Sequence, residues 1–144
     1  MNWIFIIYMV AVCRISAVTL EIKNMKISCD FYSRIPGFEL LYGGSLNDSF
    51  ITHQIGKDIH LAYLNLELIK DNTTSTTNLN NEIDRIKFER ISFHTYNVDK
   101  LYWHFKNDVG ISNTISFENE PKDAPWGERY FHIRVPDGYQ LSFI

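Results

Sequence analysis

The chain repeats itself, and that repeat constrains its fold more than any other feature. A shift of 73 residues carries Val18 to Ile91, Leu20 to Phe93, Asn24 to Asn97, Tyr32 to Phe105 and Gly37 to Gly110. In each copy an alternating apolar segment is followed by an asparagine, an amphipathic stretch and a glycine. One offset shared by strand face, helix cap, helix stripe and helix stop is the signature of a supersecondary unit used twice. The expected class is α+β. Two βαβββ modules in tandem should form a curved mixed sheet, with helices on its outer face and a pocket on its inner face.

The elements follow from local patterning. Val18, Leu20 and Ile22 alternate with Thr19, Glu21 and Lys23, the period of a half-buried strand. Asn24 should cap a helix from Met25 to about Arg34, with Met25, Cys29 and Tyr32 inward, helped by Ile27 and Phe31. Strands are expected at Phe38–Tyr42, at Phe50–Ile55 and from Ile59 to about Ile69. In the second copy Ile91 and Phe93 mark the first strand. Asn97 caps a helix whose face is Val98, Leu101, Tyr102, Phe105 and Val109, with Gly110 closing it. Strands at Thr114–Phe117, Arg129–Val135 and Tyr139–Ile144 complete the module, the last two joined by the turn Pro136-Asp137-Gly138. The modules are assigned to residues 15–70 and 86–144. Residues 71–85, rich in Thr and Asn, are read as an exposed linker. Within it Asn72-Thr73-Thr74 matches a glycosylation acceptor, which matters only in an exported chain.

Residues 1–14 form an apolar extension. The run from Trp3 to Cys13 is too short to cross a bilayer as a helix. No Lys or Arg precedes it, as a signal peptide would require. It is expected to be an extra strand or helix packed on the domain, or to reflect a start placed too early, in a cytoplasmic protein without a membrane partner. Cys13 and Cys29 are too few for a disulfide framework and have no metal-ligand spacing, so both are read as buried thiols in a reducing compartment. A net charge of −3 offers no overall positive field for nucleic acid.

Three stretches carry a family resemblance. Phe31-Tyr32 followed by Pro36-Gly37-Phe38-Glu39-Leu40 is one, and Asn97-Val98-Asp99-Lys100-Leu101-Tyr102 is another. The third runs from Pro125-Trp126-Gly127-Glu128-Arg129-Tyr130-Phe131-His132-Ile133-Arg134 into Pro136-Asp137-Gly138. In this order and spacing they resemble the vicinal oxygen chelate superfamily of glyoxalases, bleomycin-resistance proteins and extradiol dioxygenases, over roughly residues 15–144. Metal-dependent members place one ligand on the first and last strand of each module. The resemblance puts those positions at Ala17, at Ala62 or Glu67, at Arg90 and at Ser142. Alanine has no donor atom and arginine is a fixed cation, so no metal and no cofactor is expected. The resemblance then implies the non-metal, bleomycin-resistance branch, whose members hold a small molecule between two subunits. The expected function is small-molecule binding by a homodimer, in drug or toxin sequestration.

Strand alternation, with Val18, Leu20 and Ile22 toward the helices, sends Ala17, Thr19 and Glu21 to the cavity. It also sends His60, Ala62, Arg90, Ser92, His94, Gln140, Ser142, Trp126, Glu128, Tyr130 and His132 there. The expected ligand-binding set is Glu21, His60, Arg90, His94, Trp126, Tyr130 and His132. Arg90 suits a carboxylate or phosphate, and Trp126 suits a flat ring. The alternative is a lyase, isomerase or dioxygenase with a displaced metal centre built from His60, His94, His132 and Glu21, or a metal-free catalyst using His94 or His132 with Glu21. A third reading is an interaction module whose apolar N-terminus and Trp126 meet a partner chain.

Overall fold

The structure, a computed structural model, describes residues 12–70 and 90–144. The linker and most of the apolar extension therefore lie outside the described residues. The first half runs β1 (Ala17–Ile22), α1 (Met25–Ser33), β2 (Phe38–Tyr42), β3 (Phe50–Ile55) and β4 (Ala62–Leu68). Its sheet has the order β1-β4-β3-β2, with β1 parallel to β4 and the other pairs antiparallel. The second half runs β5 (Arg90–Phe93), α2 (Val98–Asn107), α3 (Val109–Ser112), β6 (Ser116–Phe117), β7 (Lys122–Asp123), β8 (Arg129–Arg134) and β9 (Gln140–Phe143). Its sheet has the order β5-β9-β8-β6, and again the first strand runs parallel to the last. The same βαβββ connectivity thus occurs twice.

Both main helices start for the same reason. The Asn24 side chain accepts the Ile27 N–H at 3.0 Å, and the Asn97 side chain accepts the Lys100 N–H at 2.9 Å. Each satisfies a donor that the first helical turn leaves without a partner. Leu20, Ile22, Leu64 and Leu66 point from the first sheet into one apolar core with Met25, Phe31 and Tyr32. Phe131, Ile133, Leu141 and Phe143 of the second sheet meet Leu101, Tyr102 and Phe105. Phe105 stands edge-on to Phe131 and Phe143, a favoured aromatic geometry. The two halves share that core, and Phe38 meets Phe93 across them with ring centres 5.3 Å apart.

The hairpin between β8 and β9 clasps the first module. Asp137 is buried; its carboxylate accepts the Lys23 N–H at 2.8 Å and the Ser28 hydroxyl at 3.2 Å. Two residues on, the Tyr139 hydroxyl donates to the Glu21 carbonyl at 2.9 Å. The turn that aims Asp137 needs Gly138, whose φ of 93° lies in the region that side chains disfavour.

Several local expectations are corrected. The strand after Asp58 begins at Ala62, because Asp58–His60 coils into one 3₁₀ turn entered through positive φ at Gly56 and Asp58. The second helix stops at Asn107, and Gly110 lies inside the short α3 rather than closing α2. The extended Asp108 both ends α2 and caps α3, its side chain accepting the Ile111 N–H. That break turns Val109 out to solvent and Ile111 into the core. On α1, Ile27 faces outward, while Ser28 turns inward to reach Asp137. Cys13 is exposed rather than buried, since it precedes the first core-facing strand, and Cys29 is half-buried.

Candidate functional site

The strand faces turned away from the helices form an open, largely polar surface. On the first sheet it carries Ala17, Thr19 and Glu21 of β1 and Tyr63, Asn65 and Glu67 of β4, with Thr52 of β3. Asn65 organises the middle, accepting from the Thr52 hydroxyl at 2.9 Å and donating to Thr19 Oγ1 at 3.2 Å. Glu21 and Glu67 are register neighbours and both are exposed.

On the second sheet the corresponding face holds Arg90 and Ser92, Gln140 and the buried Ser142, and Tyr130, His132 and Arg134. A polar chain crosses it. Arg90 Nε donates to Gln140 Oε1 at 2.5 Å, the Gln140 amide nitrogen donates to Glu118, and Arg134 Nε donates to the same carboxylate at 2.8 Å. Burial alone would raise the Glu118 pKa. The hydrogen bonds from Gln140 and Arg134, with the Arg134 charge, outweigh it and hold Glu118 below the usual range. Tyr130 and His132 are tilted against each other with ring centres 4.8 Å apart. His132 is held below its ordinary value, first by burial and then by the positive charge of Arg90. Its Nδ1 is buried and has no partner among the described residues.

The structure therefore gathers Arg90, Tyr130 and His132 on one sheet face. His94 lies just past β5, in step with Ser92, and is exposed. Glu21 belongs to the open face of the other sheet. Trp126 sits in the turn leading into β8, with its indole N–H donating to Glu128 at 2.9 Å and most of its ring in water. His60 is exposed in the 3₁₀ turn and Ala62 lies on the helix side with Leu64 and Leu66, so the expected inward placement of both is corrected. The cause is the strand's late start, which shifts the alternation. Sequence reasoning missed Arg134 and Glu118. Arg134 was accessible from the same alternation as Tyr130 and His132, whereas Glu118 follows a two-residue strand with no period to read. It also missed His53, fully buried on the helix side of β3, where its Nε2 meets Ser33 Oγ at 3.0 Å.

Strand register relates the two halves residue by residue. Thr19 pairs with Asn65, and its repeat partner Ser92 pairs with Ser142. The first-module counterpart of Ser142 is therefore Asn65, not Ala62 or Glu67. The positions that the resemblance implies thus hold a methyl, an amide already engaged with Thr52 and Thr19, a guanidinium and a hydroxyl. This set does not suit Zn²⁺ or Fe²⁺, which take carboxylate, imidazole or thiolate donors. Among the described residues no group of three or more His, Cys, Asp or Glu side chains converges to hold one. The displaced centre of His60, His94, His132 and Glu21 is thus not assembled. Among the described residues no helix is long and apolar enough to cross a membrane.

A fold of two βαβββ modules, each with a helix-covered and an open strand face, defines the glyoxalase-like class. The family model described as Glyoxalase/Bleomycin resistance protein/Dioxygenase superfamily matches residues 14–143, and the chain belongs to that superfamily. Solved structures agree at the level of fold. A glyoxalase/bleomycin resistance protein/dioxygenase superfamily member from Sphaerobacter thermophilus is 19% identical with a TM-score of 0.59, over 92% of this chain and 96% of that one. A domain of the same description from Frankia is 17% identical with a TM-score of 0.63, over 92% and 97%. TioX from Micromonospora is 16% identical with a TM-score of 0.59, over 91% and 97%. No curated protein matches.

Proposed function

We propose that the chain is a metal-independent small-molecule-binding protein of the bleomycin-resistance type, serving in drug or toxin sequestration. The observation that supports this most is the donor set at the family's ligand positions: Ala17, Asn65, Arg90 and Ser142. A metal-dependent lyase, isomerase or dioxygenase would need donors that these residues do not supply. The open face instead offers hydrogen-bonding groups beside the Tyr130–His132 pair, the mixture that fixes the orientation of a small ligand.

Binding between two subunits fits the resemblance, and we assign the subunit contact to the edge strand β2. Among the described residues it pairs on one side only, and Leu40, Leu41 and Tyr42, with nearby Leu46 and Phe50, are exposed.

Metal analysis of the purified protein, joined to thermal unfolding with and without a chelator, tests the reading. The expected result is no stoichiometric metal and an unchanged Tm. A bound divalent ion whose removal lowers the Tm would overturn it.

A further inference from the structure

Arg90 is the cation at a position where metal-dependent relatives place a ligand for one, and it is built in rather than loose. Its Nε is tied to Gln140, and Gln140 is tied to Glu118. Glu118 is already engaged by Arg134, at 2.7 Å from Nη2. The nearest carboxylate in this chain of contacts is therefore committed elsewhere. A guanidinium has five N–H donors, and only the one on Nε has a partner among the described residues. Among the described residues the four on the two Nη nitrogens have no partner and can take a ligand.

The open face is also polarised. Glu21 and Glu67 lie side by side on the first sheet, whereas Arg90 lies on the second. An anionic group is thus repelled from one half and attracted to the other. Beside Arg90 stand the exposed Ser92 and, two strands over, the Tyr130–His132 pair, which can receive the flat part of a small molecule.

We propose that Arg90 takes over the role of the divalent ion as the fixed cation of this face, and that the ligand carries an oxyanion, a carboxylate, phosphonate or phosphate, held in the fork of its two Nη nitrogens. The planar fork matches such groups in a bidentate way that an ammonium does not. The proposal rests on the reading of the open face as a ligand site.

The test titrates the isotope-labelled full chain with phenylphosphonate, with its neutral analogue benzyl alcohol, and with inorganic phosphate, following backbone amide shifts. Phenylphosphonate is expected to move amides of β5, β8 and β9 and to bind on the order of tenfold more tightly than benzyl alcohol. Arg90→Gln should abolish that preference with the amide spectrum otherwise intact, and Arg90→Lys should keep part of it. The preference should shrink between low and high salt, because Arg90 is exposed. Inorganic phosphate should shift the same β5 amides more weakly. Equal affinity for the charged and neutral rings at these strands, or a preference that survives in Arg90→Gln, overturns the role of Arg90 while leaving the open face a binding site. Shifts confined to residues off both sheets, or none with any probe, overturn the anion site; in the former case the open-face reading falls with it.

Discussion

His53 should make the fold sensitive to acid, and the effect can be isolated by replacing it with leucine. The ring is fully buried on the helix side of β3, packed near Tyr32 and Phe38, and its Nδ1 has no partner among the described residues. Burial disfavours the imidazolium and lowers the pKa from 6.5 to about 4. The unfolded chain therefore takes up a proton below about pH 6.5 that the folded chain refuses until about pH 4. Stability from this residue is fully present above pH 6.5 and is lost as the pH falls toward 4. Each pH unit between those two values costs about 1.36 kcal/mol, so the loss reaches roughly 2.5 kcal/mol by pH 4.5 and about 3 kcal/mol at the bottom of the window. His53→Leu removes the titration. It also removes the Ser33 hydrogen bond, worth about 1 kcal/mol, and an unpaired polar atom that costs a similar amount, so the two proteins should be nearly equal at pH 7.5. Urea unfolding followed by far-ultraviolet circular dichroism from pH 7.5 to 4.5 measures both. Subtracting the two curves cancels the carboxylates and other histidines that titrate in the same range. Parallel stability profiles for the wild type and His53→Leu would refute the reasoning.

Other consequences can be checked with the same unfolding assay. Asp137→Ala leaves the Lys23 N–H and the Ser28 hydroxyl without their acceptor and should destabilise the fold by about 2–4 kcal/mol, with both halves losing protection from hydrogen exchange together. Asn24→Ala and Asn97→Ala should each cost about 1 kcal/mol, and the double variant should show the sum, since the caps belong to different helices. Arg129 pairs with Asp99 and Asp123 on an exposed surface, so Arg129→Ala should scarcely change the midpoint, and less so in high salt. Leu41→Lys on the edge of β2 should shift the protein to monomer in light scattering without lowering its monomeric stability.

The repeat made the connectivity legible, because a 73-residue offset tied strand face, cap and helix stripe together before any contact was known. The asparagine caps were readable for the same reason: Asn24 and Asn97 each act within three residues of themselves. What depends on partners far along the chain was not readable. Ser28 is buried because Asp137 reaches it from the other module, and no local period announces that. The face of β4 was misplaced at His60 and Ala62 because one positive φ at Asp58 moved the strand's origin, and a single-residue slip exchanges the two faces of a strand. That Arg90, Tyr130 and His132 share one strand face was readable from alternation alone. The link from Arg90 through Gln140 to Glu118 needed the third dimension.

The clasp at Asp137 runs in one direction. The topologically equivalent connection in the other half, the turn at Asp58 between β3 and β4, is exposed and makes no side-chain hydrogen bond to the second half among the described residues, so the two halves contribute unequally to the contact. One has become the plug and the other the socket. Cutting the chain between the halves would hand the Asp137 carboxylate, the Lys23 N–H and the Ser28 hydroxyl to water, and would open the apolar core that both halves fill.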